Sequence, residues 1–203
     1  MSQEELVNRY KAALESNEVS TKEGLKAAAI IAQEANEAGI ECAVAGGIAM
    51  HVFGYNRATK DVDLLASDIL ARPSNEPLSF GGESYLVQVG ERTITVDLIV
   101  RDDFFRNFYE AALQDAEPMP SGLRVVTPVW MVILKYLSGR SKDILDLLWM
   151  LREPGLVDRA QVAQLLKGVM GESGAQVALR GLEPYYLQAE VMRGGDENGR
   201  QER

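Results

Sequence analysis

The stretch that most limits the fold is 41–66, ECAVAGGIAMHVFGYNRATKDVDLLA. Glu41–Ala45 is a short apolar run suited to a buried strand, and it closes on Gly46-Gly47. Ile48–Phe53 has the length of a short helix closed by Gly54, and Asp61–Ala66 reads as the next strand. Strand, glycine turn, helix and strand in such close succession require a sheet with a helix laid against it. Alternation places Asp61 and Asp63 on one face of the second strand and Val62 and Leu64 on the other. Two carboxylates at a strand end repel each other unless a cation lies between them. A hard divalent ion with oxygen ligands is the natural occupant. The glycines add a tight turn whose backbone amides open a helix and approach a phosphate closely.

The rest of the chain extends this frame. Helical patterns cover Glu4–Leu14 and Thr21–Ala38, the second capped by Ser20 or Thr21. Pro73–Gly82 is rich in turn formers and reads as a loop. Ser84–Val89 and Thr93–Val100 flank Gly90-Glu91, which predicts a hairpin with a tight turn. In its second strand Ile94, Val96, Leu98 and Val100 share one face, and Asp97 lies on the other beside Thr93 and Thr95. A helix is expected from about Arg101 to Leu113, a polar loop up to Leu123, and further helices at 128–138, 141–152, 158–170 and 173–189. No internal repeat is visible. The fold class is therefore α+β (α/β), a small mixed sheet with flanking helices. It divides into N-terminal helices over 1–40, a core over 41–126, a C-terminal helical part over 127–190 and a polar tail over 191–203 expected to be disordered.

Composition removes several classes of site. The lone Cys42 excludes an internal disulfide and any multi-cysteine cluster, and the lone His51 excludes a paired-histidine zinc site. Any metal must be held by carboxylates. The net charge of −9 repels nucleic acid in bulk, leaving only a local basic groove to attract it. The longest apolar stretch, Val125–Leu137, is broken by Thr127, Pro128 and Lys135 and is too short for a bilayer. The charged N-terminus lacks the apolar core of a signal peptide, which predicts a cytoplasmic chain without a membrane partner.

A second constellation lies at KYLSGRSKDILDL, 135–147. Lys135 is the only charge between Val129 and Leu137 and falls on the side opposite Val129, Ile133 and Leu137. It is either a snorkelling surface lysine or a cation reaching a polyphosphate. Gly139 ends one helix, Ser141 is expected to cap the next, and Asp143 and Asp146 follow. His51 suits packing or the surface better than catalysis, Cys42 suits the core, and Trp130 and Trp149 suit packing of the helical part.

An apolar strand ending in Gly46-Gly47, thirteen residues, Asp61-Val62-Asp63-Leu64 and a later Val96-Asp97-Leu98 together resemble the nucleotidyltransferase superfamily of polymerase-beta-like fold. R-x-T-x-D-x-D at Arg57–Asp63, with Lys135 and the cluster after it, resembles the AbiE-type toxin and minimal nucleotidyltransferase branch. The resemblance covers about residues 41–152. It implies that Asp61, Asp63 and Asp97 bind Mg²⁺ (or Mn²⁺), that Gly46 and Gly47 hold the triphosphate of an NTP substrate, and that Lys135 and either Asp143 or Asp146 assist. Asp97 would also serve as base toward an acceptor hydroxyl. Arg57 and Thr59 either bind phosphate or order their loop, ordering being favoured. The acceptor is open among a protein, a small alcohol and an RNA end, and a toxin–antitoxin role would add a cognate protein partner. A silent module of the same fold is the alternative.

Overall fold

The structure, a computed structural model, describes residues 18–55 and 57–201, with side chains described to 194. The helix expected at Glu4–Leu14 lies outside the described residues. Helix α1, Thr21–Glu37, starts at a reciprocal cap: Glu23 N–H donates to the Ser20 hydroxyl at 3.3 Å, while Ser20 N–H and O–H both donate to the Glu23 carboxylate. Its buried face, Ala27, Ala28, Ile31 and Ala35, packs on the sheet.

Strand β1, Cys42–Val44, feeds helix α2, Gly46–Val52, and the chain returns as β2, Asp61–Ala66, antiparallel to β1 with Val44 opposite Leu64. Edge strand β3, Glu76–Pro77, pairs with β4, Gly82–Val89, which forms a hairpin with β5, Arg92–Ile99. Gly90, at φ 62°, begins the two-residue turn. β5 then lies parallel to β2, with Asp63 directly opposite Asp97 and Asp61 opposite Thr95. Helix α3, Arg106–Gln114, precedes β6, Glu117–Pro118, and β7, Arg124–Val125, which closes the other side of the sheet parallel to β1. The order across the mixed sheet is β3-β4-β5-β2-β1-β7-β6.

Three helices follow: α4, Pro128–Ser138, α5, Ser141–Arg152, and α6, Arg159–Gln201, which is broken by a non-helical Gly171 at φ 73°. α4 is buried on every side from Val129 to Lys135, as expected of a helix apolar all round, and packs against α3, α5 and α6. Thr127 caps its start and Gly139, at φ 63°, ends it. The cap of α5 is Arg140 rather than Ser141: the Arg140 carbonyl accepts from Asp143 and Ile144, leaving Ser141 as the first helical residue. β3 and β6 fall in stretches that read as loops, because each is two residues long with a proline and forms only as the edge of a sheet. Among the described residues no helix is long and apolar enough to cross a membrane.

Candidate active site

Gly46 and Gly47 are shaped by what presses on them. Gly46 sits at φ 55°, and a Cβ there would lie 1.7 Å from Asp63 Oδ2. A Cβ on Gly47 would lie 2.4 Å from Thr59 Oγ1. The turn is thus fitted against the strand that carries the carboxylates, and Ala45 N–H donates to the Asp63 carbonyl at 2.9 Å to hold them together. Thr59 is buried, its carbonyl accepts from Val19, and its hydroxyl donates to Asp61 Oδ1 at 3.2 Å. It orders the approach to the first carboxylate.

Asp61, Asp63 and Asp97 are all half-buried and line one cleft of about 420 Å³. Burial, then the charge of Asp61, and then that of Asp97 push Asp63 up to about 6, while Lys135 and Lys142 pull it down. Asp97 is also raised, first by burial and then by Asp61 and Glu76, against the opposing pull of Ser84 and Lys142. Such mutual repulsion is relieved by a cation. Among the described residues, however, no three His, Cys, Asp or Glu side chains are gathered tightly enough to hold a metal ion by themselves. Mg²⁺ commonly takes one or two carboxylates and completes its shell with water and substrate phosphate. The oxygen donors here fit that shared kind of site rather than a cage made by protein alone.

Beside the carboxylates lies a network of opposite charges, buried except at Arg140. Lys135, 6% exposed, donates to Asp143 Oδ1 at 2.5 Å and pairs with Asp146 Oδ2 at 2.8 Å. Arg57 grips Asp146 through Nε at 2.6 Å and Nη2 at 2.8 Å. Arg140 reaches Asp143 at 2.6 Å, as does the Ser138 hydroxyl at 2.5 Å. Burial opposes ionisation of Asp143, but the Lys135 charge and these hydrogen bonds outweigh it and hold the carboxyl at about 2. Three cations against two carboxylates leave the network with one surplus positive charge. Lys135 therefore sits inside the fold beside Asp63 in a small chamber that Gly46 and Arg57 also line. Asp143 and Asp146 are fully buried and hold the cations in place.

Arg57 is kept in position by His51 as well, whose Nε2 donates to the Arg57 carbonyl at 2.6 Å while Nδ1 faces the Thr21 hydroxyl at 3.0 Å. Trp149 stacks on Tyr55 with centroids 4.7 Å apart, and buried Trp130 donates to Asp115 at 2.8 Å. Cys42 is half-buried, and burial raises its thiol. Sequence reasoning passed over the far wall of the cleft, Phe80, Arg101, Phe105 and Tyr109. Its sole signal was the spacing of Phe105 and Tyr109, which puts them on one helical face soon after Asp97.

No family model matches the chain, and no curated protein matches it. Among solved structures it is similar to the crystal structure of an antigenic nucleotidyltransferase-like protein from Paracoccidioides brasiliensis, with 18% identity, TM-score 0.47, and coverage of 81% of this chain and 95% of that one. A likeness this distant assigns no residue and no activity.

Proposed function

We propose that this protein is a metal-dependent nucleotidyltransferase that moves a nucleoside monophosphate from an NTP to an acceptor hydroxyl. The observation carrying this reading is the meeting, in one cleft, of carboxylates from two parallel strands with a buried cationic network across Asp63. Asp61 and Asp63, with Asp97 beside them, would hold Mg²⁺ (or Mn²⁺) together with substrate phosphate oxygens. Such an ion, when bound, neutralises charge developing on the transferred phosphoryl group. Lys135, Arg57 and Arg140 turn the surplus positive charge of their network toward the triphosphate, and Gly46, which lines the same chamber, presents its backbone to it. The Asp97 carboxylate takes the acceptor's proton as its oxygen bonds to the α-phosphorus. The bond from that phosphorus to the bridging oxygen breaks, and pyrophosphate leaves. The raised affinity of Asp97 for a proton suits this work.

Incubation with labelled NTP and Mg²⁺ should yield a labelled acceptor from a cell extract. The label should vanish in Asp63→Asn of unchanged circular dichroism; its persistence would sink the proposed site. The acceptor classes are a protein side chain, a small alcohol and an RNA end, the last disfavoured by the charge of −9 unless a partner adds basic surface. The R-x-T-x-D-x-D and Lys135 patterns favour the AbiE-type branch and, with it, a cognate protein partner.

One observation favours a second reading, a silent module that binds nucleotide without turning it over. Lys135 and Arg57 are already saturated by Asp143 and Asp146. A thermal shift with Mg-NTP but no pyrophosphate release would select the silent module; release would eliminate it.

A further inference from the structure

The cleft consists of two adjoining chambers of unequal size. The smaller, about 60 Å³, is lined by Gly46, Arg57 and Lys135 and has room for a phosphoryl group but not for a nucleoside. The larger, about 420 Å³, is within the range that takes small organic ligands, and Asp63 and Tyr109 border both. Asp61 and Asp97 line the large chamber, and so does a wall of different chemistry, formed by Phe80, Arg101, Phe105 and Tyr109. There the Arg101 guanidinium lies 5.5, 5.4 and 5.1 Å from the ring centroids of Phe80, Phe105 and Tyr109. Its plane is fixed by Asp103, which accepts from Nε at 3.0 Å and from Nη2, and which also accepts from Phe105 N–H at 3.0 Å. Phe104, 83% exposed, stands edge-on to Phe105 at 5.6 Å and carries the aromatic surface toward solvent.

We propose that this ring-and-guanidinium wall is the subsite for a nucleobase, a proposal that rests on the reading of the carboxylates as a nucleotidyl-transfer centre. A nucleotide whose terminal phosphate enters the small chamber, with the rest of its phosphates over the carboxylates, has space for its base only in the large one. Aromatic rings and guanidinium planes are the surfaces on which unpaired bases stack. The cation place among the rings is already filled by Arg101, so the wall does not serve as a cage for a cationic ligand. Stacking tolerates every base, so discrimination among the four is weak. The base belongs either to the donor NTP or to the terminal nucleotide of an acceptor.

The test uses 2-aminopurine riboside, whose fluorescence is quenched by stacking, together with its 5′-triphosphate, inorganic tripolyphosphate and a short single-stranded oligonucleotide ending in 2-aminopurine. Phe80→Leu and Phe105→Leu each remove a ring from a separate element while keeping apolar bulk. If the base is the donor's, each variant weakens the triphosphate about tenfold and leaves tripolyphosphate unchanged. If it is the acceptor's, the oligonucleotide is weakened about tenfold instead. Unchanged affinity and quenching for the riboside, the triphosphate and the oligonucleotide in both variants overturn the proposal. Loss of riboside quenching in the variants, in a protein that never binds tripolyphosphate, supports the wall and overturns the phosphate chamber.

Discussion

Gly46 shows how one missing atom places a carboxylate. Its φ of 55° suits glycine, and the space a Cβ would fill is already held by Asp63. Gly54 isolates the backbone share of this arrangement: its φ is 99°, yet nothing lies within 4 Å of its Cβ position. Gly54→Ala should cost about 1–2 kcal/mol in urea denaturation, from backbone strain alone. Gly46→Ala should cost more and also push Asp63 out of place, abolishing NTP-dependent labelling. Equal losses of stability in the two variants would show that the approach of Asp63 imposes no constraint. The glycine pair was legible in the sequence as a turn, but this reason for it was not, because it depends on a side chain far along the chain that returns in the next strand.

At the scale of elements, the network between α4 and α5 ties helix packing to the charge beside Asp63. Asp146 accepts from both Arg57 and Lys135 while fully buried. Replacing it by a neutral isostere leaves two cations short of a partner in a buried site. Asp146→Asn should therefore lose about 3–5 kcal/mol of unfolding free energy, measured in urea. A loss below about 1 kcal/mol would mean that water or Asp143 compensates fully. The helices themselves were readable from apolar periodicity and glycine ends, and β2 and the β4–β5 hairpin from alternation and the Gly90 turn. The two-residue strands β3, β6 and β7 carry too little pattern to be seen. Lys135 was legible as a lone charge on an apolar helix, yet its burial depends on Asp143 and Asp146 closing over it from the next helix. The aromatic wall was hidden for a related reason, since its members come from a loop, a strand end and a helix start that only tertiary structure brings together.

For the whole molecule, the carboxylates of the cleft set opposite pH dependences against each other. Asp63 rises to about 6 in the folded protein from an ordinary value of 3.8, so between those values the folded state holds a proton that the unfolded chain has released. Stability from this group is therefore lost as pH rises through that window. Asp97, also raised, acts in the same direction. Asp143, held at about 2, behaves inversely: its contribution is present above 3.8 and is lost as pH falls toward 2. With Mg²⁺ absent, melting temperature should thus fall between pH 4.5 and 7, and Asp63→Asn should flatten that decline. Above pH 6 Asp63 is ionised and available to an ion shared with phosphate. Mg-NTP should accordingly raise the melting temperature more at pH 7 than at pH 5, whereas Mg²⁺ alone should do little because protein donors by themselves form no closed set. If Asp63→Asn keeps the full decline, the pH dependence originates in groups other than Asp63. If Mg²⁺ alone stabilises as strongly as Mg-NTP, the carboxylates close on the ion without help from phosphate.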